Sequence, residues 1–233
     1  MRVLVTPDYR TLSRTASELV LKAIRTKRDL TLGLPTGNTP LGMYAELVRS
    51  YRDRQVDFSG VRTFNLDEYL GLQQGDTHSY RFYMQEHFFD HVNVPPGNVH
   101  IPEEAGGYEE KIREAGGLDL LVVGIGLNGH IAFNEPGSSF ASRTREVMLA
   151  PETVANAEMH FEGAPVPRSA ITMGIGTILE SRCIVLLASG TSKADIVRRA
   201  LNGPISESVP ASVLQMHQNV IAVLDEEANP DEK

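Results

Sequence analysis

A glycine-rich segment at 124–137, GIGLNGHIAFNEPG, carries the side chains best suited to proton transfer. Its glycines match G-x-G-x-x-G, but a dinucleotide-binding turn must open a helix, and the NEPGS stretch that follows is a poor helix former. What remains is one short loop with Asn128, His130 and Glu135. A histidine flanked by an amide and a carboxylate can have its tautomer fixed and its pKa raised, so the segment indicates an acid–base catalyst.

An acidic pair, Asp67 and Glu68, follows the apolar run 61–66. Carboxylates at the end of a buried strand are well placed for acid–base chemistry. An isolated Asp-Glu pair is more often a solvated loop or a helix cap, so this pair becomes a candidate only if other reactive groups lie beside it.

The turn 33–42, GLPTGNTPLG, has the composition of an anion-binding site. Small residues, with a proline where a helix should begin, would present free N–H groups and the positive end of a helix dipole. Without a Walker lysine it is not a nucleoside-triphosphate loop. We predict that Thr36, Gly37, Asn38 and Thr39 bind a phosphate; a capped helix start is the structural alternative.

Two cations could complete such a site. Lys193 lies in a second strand-to-helix turn, ASGTSK at 188–193, and Arg168 lies in PRSA at 167–170. Each alone would be an ordinary surface cation. Only convergence on the 33–42 turn would give either one a role in binding.

The composition excludes several classes of protein. With 233 residues, 41% of them hydrophobic and 22% charged, the chain can bury a sizeable core. Its net charge of −8 argues against nucleic-acid binding, and no apolar run reaches the ~18–20 residues that cross a bilayer. With no export signal and no disulfide framework, we expect a soluble, cytoplasmic protein.

Two further features have structural explanations. Cys183 lies in an apolar run, which is typical of a buried structural cysteine. His87 and His91 have the spacing of metal ligands on a helix, but no third ligand is evident, so we predict no metal site.

Strand-length apolar runs alternate with amphipathic helical stretches along the chain. The predicted strands are Arg2–Thr6, 30–34, 61–66, 118–125, 183–188 and 219–224, and the predicted helices are 11–26, 41–51, 79–89 and 191–201. This order predicts one α/β domain over 1–233, a three-layer, doubly wound, Rossmann-like and mostly parallel sheet with helices on both faces. The acidic tail 226–233 is expected to fray. Because ligands bind at the carboxyl ends of such strands, we expect the loops described above to share one site.

Together these loops resemble the glucosamine-6-phosphate deaminase (isomerising) family. The matching stretches, in the family's order, are GLPTGNTP (33–40), FNLDEY (64–69), GLNGHIAFNEP (126–136), SRTR (142–145), VPR (166–168), TMGIGT (172–177) and GTSKA (190–194). They span nearly the whole chain. The stretch HIAFNEP is the specific one, because sugar-lactone hydrolases of the same superfamily continue differently after Gly-His.

The resemblance implies a cofactor-free conversion of glucosamine 6-phosphate and water into fructose 6-phosphate and ammonia. His130 would protonate the ring oxygen and open the pyranose, with Asn128 and Glu135 orienting it. Asp67 would move the C2 proton to C1 through an enolamine, and water would then attack the C2 imine and release ammonia. The phosphate would be held by Thr36, Gly37, Asn38, Thr39, Arg168 and Lys193.

Two departures from the family pattern matter. Asn128 stands where some members have an aspartate, and an amide cannot stabilise imidazolium as a carboxylate does, so we expect an altered pH dependence. Larger hexameric members are activated by N-acetylglucosamine 6-phosphate and have a lysine where this chain has Val147. We therefore expect no activation by that effector, and a monomer or small homo-oligomer.

Three alternatives stay open at this point. Galactosamine 6-phosphate would fit equally, because no residue reports the orientation of the C4 hydroxyl. A 6-phospho-sugar lactone is disfavoured by the FNE sequence at 133–135. A non-catalytic sugar-phosphate sensor is disfavoured by the presence of Asp67, His130 and Glu135 together, since binding alone needs no proton shuttle.

Overall fold

Strands and helices alternate from the first residues to the last strand. The computed structural model describes residues 1–73, 75–104, 106–158, 161 and 163–229. In this part of the chain the strands are β1 (Arg2–Thr6), β2 (Thr31–Leu34), β3 (Arg62–Asn65), β4 (Asp67–Tyr69), β5 (Val99–His100), β6 (Leu120–Gly124), β7 (Arg145–Met148), β8 (Ser169–Thr172), β9 (Ile184–Ala188) and β10 (Val220–Asp225). The α-helices are α1 (Tyr9–Thr26), α2 (Leu41–Arg52), α3 (Tyr80–His87), α4 (Tyr108–Glu114), α5 (Pro151–Glu158), α6 (Ile175–Leu179) and α7 (Ala194–Asn202).

The main sheet has seven strands in the order β1-β10-β9-β6-β2-β3-β5, and every neighbouring pair in it is parallel. From β2 the chain moves outward through β3 to β5, and then returns to the other side of β2 with β6. The strand order therefore reverses between β2 and β6. In doubly wound folds this reversal opens a crevice at the carboxyl ends of the two strands.

Two apolar layers cover the faces of this sheet, as the sequence predicts. Successive residues of the central strand β6 face opposite layers: Leu120 and Val122 pack in one, Leu121 and Val123 in the other. Helices α1, α2 and α3 cover the first face, and α4, α6 and α7 cover the second. The predicted three-layer α/β domain is confirmed.

Local signals explain where the predicted helices begin. The Asp8 carboxylate accepts a hydrogen bond from the Thr11 N–H at 2.7 Å, so α1 starts at Tyr9, two residues before the predicted bound. Ser79 caps α3 in the same way through the Phe82 N–H. That helix ends at His87, and a separate 3₁₀ turn, Phe89–His91, follows it. Consequently the observed helix α3 is shorter than the predicted range 79–89.

A second sheet was not predicted. Three short strands form an antiparallel sheet in the order β4-β8-β7, with Asp67 opposite Thr172. Strand β4 has only three residues and β7 is half exposed, so neither shows the long apolar run by which a buried strand is recognised. The first residue of this sheet, Asp67, therefore lies close to the end of β3, and β8 supports the loop after β6.

The chain after β10 turns back onto the domain. The Asp225 carboxylate accepts a hydrogen bond from the Ala228 N–H, and Ala228 is fully buried. Of the tail expected to fray, 226–233, residues 230–233 lie outside the described residues, so the expectation stays a prediction for them. No helix within the described ranges is long and apolar enough to cross a membrane.

Candidate active site

A cavity of about 420 Å³ lies at the carboxyl ends of β2 and β6, where the strand order reverses. Seven of the ten predicted site residues line it: Thr36, Gly37, Asn38, Thr39, Asp67, His130 and Lys193. These residues come from four loops that are far apart in sequence. Their convergence follows from the topology, because parallel strands bring their carboxyl ends to one edge of the sheet.

The turn after β2 presents unpaired N–H groups to this cavity. Gly37 has a φ of +96°, a left-handed conformation that glycine adopts without strain. Within the described part of the chain, the N–H groups of Thr36, Gly37, Asn38 and Thr39 donate no hydrogen bond to other backbone groups. Helix α2 begins immediately afterwards at Leu41, so the positive end of its dipole adds to these donors. This arrangement suits a phosphate group.

The two predicted cations lie in different places. Lys193 lines the cavity, and its Nζ donates a hydrogen bond to the Ile125 carbonyl at 2.7 Å, which places the ammonium between the β6 and β9 loops. Burial lowers the pKa of Lys193. Arg168 is exposed and does not line the cavity; its carbonyl accepts a hydrogen bond from the Leu149 N–H at the end of the second sheet. The structure does not bring Arg168 to the predicted phosphate site.

Asp67 is a buried carboxyl group with a strongly altered acidity. Only 7% of the residue is exposed. Burial, with a smaller contribution from the charge of Glu68, raises the pKa of Asp67 to about 8. A carboxyl group with a pKa near neutrality can both accept and return a proton under working conditions, which is what a proton shuttle requires.

Glu68, the other member of the acidic pair, has a structural role. Its carboxylate accepts hydrogen bonds from the N–H groups of Tyr69, Tyr80 and Arg81 at 2.8–2.9 Å. Burial raises the pKa of Glu68, and these three N–H donors oppose that shift. The side chain thus holds the start of α3 against β4.

His130 is neutral at physiological pH, which corrects the expectation of a raised pKa. Burial lowers the pKa of His130 to about 4; the charge of Glu135 opposes this shift and that of Lys193 adds to it. Its Nδ1 is buried and has no hydrogen-bond partner among the described residues. A protonated ring would place an unpaired N–H there, which agrees with the neutral form.

Asn128 and Glu135 make hydrogen bonds to backbone N–H groups and not to the ring of His130. The Asn128 Oδ1 accepts a hydrogen bond from the His130 N–H at 3.2 Å. The Glu135 Oε1 accepts one from the Ala150 N–H at 3.1 Å. Neither residue lines the cavity. Asn128 therefore fixes the loop conformation, and Glu135 acts on the imidazole through its charge.

Asn134 is a supporting residue that the sequence motif contains but that we did not predict as part of the site. It is fully buried, and its Nδ2 donates to the carbonyls of Ile131 and Met173 at 3.0 and 2.7 Å. Its Oδ1 accepts from Arg145 Nη1 at 2.8 Å. These bonds tie the His130 loop to β8 and β7. A buried asparagine in an apolar stretch was the available signal, since buried amides need partners.

Aromatic side chains extend the cavity on one side. Tyr80, Phe133 and Asn156 line it as well, and a contiguous cavity of about 350 Å³ continues past His130 toward Phe161. Tyr80 and Phe133 are stacked, with ring centroids 5.9 Å apart. No local pattern in the sequence points to Tyr80 or Asn156, because both reach the site only through the packing of α3 and α5.

The histidine pair considered as a metal site has other contacts. His91 approaches the Glu86 carbonyl through Nε2 at 2.9 Å, and His87 packs against the ring of Tyr83. Across the ranges that the structure describes, no group of three or more His, Cys, Asp or Glu side chains could hold a metal ion.

Comparison with known proteins decides the family. The family model for glucosamine-6-phosphate isomerases/6-phosphogluconolactonase matches residues 9–223. A glucosamine-6-phosphate deaminase of Thermoanaerobacter sp. (strain X514) is 46% identical over 244 residues, which cover 100% of this chain and 96% of that relative. The chain belongs to the glucosamine-6-phosphate deaminase family. Glucosamine-6-phosphate deaminase 2 of Bacillus subtilis (strain 168) is also 46% identical, covering 98% of this chain and 96% of that one.

Solved structures agree with this membership of the deaminase family. A monomeric glucosamine-6-phosphate deaminase superposes with a TM-score of 0.94 at 43% identity, and the match covers 98% of both chains. A 6-phosphogluconolactonase from Leishmania guyanensis superposes with a TM-score of 0.79 at 21% identity, covering 100% of this chain and 98% of that one. The second likeness concerns the fold alone.

Proposed function

We propose that this protein converts glucosamine 6-phosphate and water into fructose 6-phosphate and ammonia. The observation that carries the proposal is that one cavity joins a buried carboxyl of raised pKa, Asp67, a neutral histidine, His130, and the N–H groups of the turn at 36–39. Relatives that carry the deaminase name at 44–46% identity over nearly the whole chain support the same reaction.

The neutral state of His130 sets the order of proton transfers in ring opening. With a pKa of about 4, the imidazole is a base at pH 7 and carries no excess proton. It therefore takes the proton of the anomeric hydroxyl first and delivers that proton to the ring oxygen as the C1–O5 bond breaks. Ring opening then requires no net change of charge in a buried site, where an imidazolium would be costly.

Asp67 carries out the next step. In its ionised form it takes the proton from C2 of the open-chain amino aldehyde, which leaves a C1–C2 enolamine with the negative charge on O1. The carboxylic acid then returns that proton to C1, a proton of the amino group passes to O1, and C2 becomes an imine. Water adds to C2 and ammonia leaves, so C2 ends as the ketone of fructose 6-phosphate. A raised pKa of about 8 keeps both proton states of Asp67 accessible.

The phosphate end positions the substrate. The unpaired N–H groups of the turn at 36–39 and the ammonium of Lys193 bind the phosphate, while the reacting carbons lie toward Asp67 and His130. Binding energy from this remote group orients C1 and C2 relative to the carboxyl group. Arg168, which the structure leaves outside the cavity, would join the site only after a movement of the segment that carries it, and we assign it no contact here.

A substrate panel tests the proposal. The purified protein is assayed for ammonia and ketose 6-phosphate with glucosamine 6-phosphate and galactosamine 6-phosphate, and for acid release with a 6-phosphogluconolactone. We expect equal amounts of ammonia and fructose 6-phosphate from glucosamine 6-phosphate. Turnover of the lactone alone would contradict the proposal. Turnover of galactosamine 6-phosphate alone would keep the chemistry and change the substrate.

We further propose that the protein acts as a monomer in the cytoplasm and is not activated by N-acetylglucosamine 6-phosphate. The superposing solved deaminase is monomeric, and residue 147, in the half-exposed strand β7, is a valine. Light scattering measures the mass against 25.6 kDa. A stable hexamer, or a sigmoidal substrate curve that the effector abolishes, would overturn this part.

A further inference from the structure

Tyrosine hydroxyls from three helices bind the outer side of the phosphate turn. The Tyr44 hydroxyl donates to the Pro35 carbonyl at 2.5 Å, and the Tyr83 hydroxyl donates to the Gly37 carbonyl at 2.6 Å. The Tyr9 hydroxyl lies 3.2 and 3.1 Å from the next two carbonyls of the turn, at positions 38 and 39, and it accepts the N–H at position 42 at 2.9 Å.

We propose that Tyr9, Tyr44 and Tyr83 are positioning residues that hold the anion-binding turn open for the substrate's phosphate. The inference rests on the proposed function. None of the three residues lines the 420 Å³ cavity, and Tyr83 lines the contiguous 350 Å³ cavity. They act through the backbone of residues 35–39, because each hydroxyl binds a carbonyl and none is needed to touch the ligand.

The geometry of the peptide unit explains how this works. The N–H and C=O groups of a trans peptide point in opposite directions, so fixing a carbonyl on the outer side turns the N–H that follows it toward the cavity. Three N–H groups of the turn, at positions 36, 38 and 39, each follow a carbonyl that a tyrosine hydroxyl binds, whereas the carbonyl at 39 precedes a proline, which has no N–H. A turn that contains Gly37 at φ +96° would otherwise sample many conformations, and ordering it would reduce the affinity for phosphate.

Packing alone does not account for the hydroxyl groups. Tyr9 is 38% exposed and the carbonyls at 37 and 38 belong to exposed residues, so water could satisfy them. The three tyrosines also lie on separate helices, α1, α2 and α3. A phenylalanine would fill the same volume at each position. The hydroxyls are therefore best explained by the conformation that they impose on the turn.

The test uses Tyr83→Phe, Tyr9→Phe and the double variant. Tyr51→Phe is the matched control, since Tyr51 is a half-buried tyrosine of α2 whose ring packs against Phe58 and not against the turn. Two quantities are measured for each protein: the affinity for inorganic phosphate by calorimetry, and kcat and KM for glucosamine 6-phosphate. Thermal unfolding shows whether each variant is folded.

We expect each single change to weaken phosphate binding by about fivefold, and the double change by more than about tenfold, since each removes one hydrogen bond that orders the turn. KM should rise by the same factor while kcat stays within about twofold of wild type, as a loss of uniform binding requires. Tyr51→Phe should change neither quantity.

Unchanged phosphate affinity and KM in the double variant would overturn the inference. A fall in kcat without a change in KM would also overturn it, because that pattern indicates a loss of folded or competent enzyme. The outcome for the proposed function is separate: a wild-type protein that binds phosphate in a tyrosine-dependent manner but releases no ammonia would support the inference and refute the deaminase proposal.

Discussion

The imidazole of His130 occupies the space in which residue 126 would carry a side chain. A Cβ added to Gly126 would lie 2.2 Å from Cε1, 2.3 Å from Nε2 and 2.4 Å from Nδ1 of His130. The Gly126 N–H also donates to the His130 carbonyl at 2.9 Å, so the two residues close a tight turn on each other. The glycine is thus required for the position of the histidine, independently of any phosphate-binding or dinucleotide-binding role.

The first prediction concerns this contact. Gly126→Ala should displace the ring of His130, because heavy atoms do not approach to such distances. A displacement of about 1 Å in a catalytic group can lower the rate by about 100-fold. We therefore expect kcat to fall by about that factor with little change in phosphate affinity. Gly97→Ala is the control, since an added Cβ there meets nothing within 4 Å; equal kcat in the two variants would contradict the account.

The second prediction concerns the stability cost of Asp67. Its folded-state pKa of about 8 exceeds the ordinary value of 3.8, so between these two values the folded protein binds more protons than the unfolded chain. Stability should fall as the pH rises through this window, by at most about 1.4 kcal/mol per pH unit. Asp67→Asn removes the ionisable group, so the variant should be more stable than wild type at pH 7, and the difference should grow from pH 5 to pH 8.

Asp119→Asn is the matched control with the opposite sign. Burial of Asp119 opposes ionisation, but hydrogen bonds from Lys27 and Thr31 and the charges of Lys27 and Arg182 lower its pKa. A depressed pKa contributes stability above about pH 4 and loses it as the pH falls. Urea unfolding at pH 7 should therefore show Asp119→Asn destabilised. If Asp67→Asn were destabilised as well as Asp119→Asn, the burial of Asp67 would not lower the stability of the folded protein.

The third prediction links Glu68 to the pH–rate profile. The proposed base is the ionised form of Asp67, so kcat/KM should rise with pH toward the free-enzyme pKa of about 8. The charge of Glu68 contributes to that pKa, so Glu68→Gln should move the inflection to lower pH. Glu103→Gln, at an exposed position, should leave it in place. Because the substrate's own ionisations are common to all three proteins, an inflection that does not move in Glu68→Gln would argue against Asp67 as the base.

The fourth prediction concerns Asn128. An aspartate at this position would add a negative charge beside His130 and raise its pKa from about 4. The ring must be neutral to accept the anomeric proton, so activity of Asn128→Asp should fall relative to wild type as the pH is lowered below 6. An NMR titration of the His130 Cε1 proton reports the shift directly. Identical titration curves in the two proteins would refute the predicted coupling.

The sequence predicts the central sheet well because buried parallel strands are continuous apolar runs. It also places the candidate catalytic and phosphate-binding residues at the ends of strands. The topology then brings 36–39, Asp67, His130 and Lys193 into one cavity. What the sequence does not contain is the environment of each group. The spacing of an amide, a histidine and a carboxylate in one loop suggests a raised pKa for His130, whereas burial of the ring has the larger effect and lowers that pKa.

The features that were not predicted depend on non-local packing. Tyr9 and Tyr83 reach the phosphate turn from helices 29 or more residues away in sequence, so no local pattern reveals their contacts. The exposed position of Arg168 has the same origin, since it follows from the pairing of β8 with β7. Sequence spacing identifies which loops meet; it does not determine which side chains of those loops point into the site.

The most direct test of the central claim is a comparison of wild type with Asp67→Asn in a stoichiometric assay with glucosamine 6-phosphate. Ammonia and fructose 6-phosphate are measured in the same reaction, and calorimetry confirms that the variant still binds inorganic phosphate. We predict equal amounts of both products from wild type and the loss of both in Asp67→Asn with phosphate binding retained. Continued turnover by the variant at a rate comparable to wild type would contradict the account, because a group other than Asp67 would then have to carry the proton from C2 to C1.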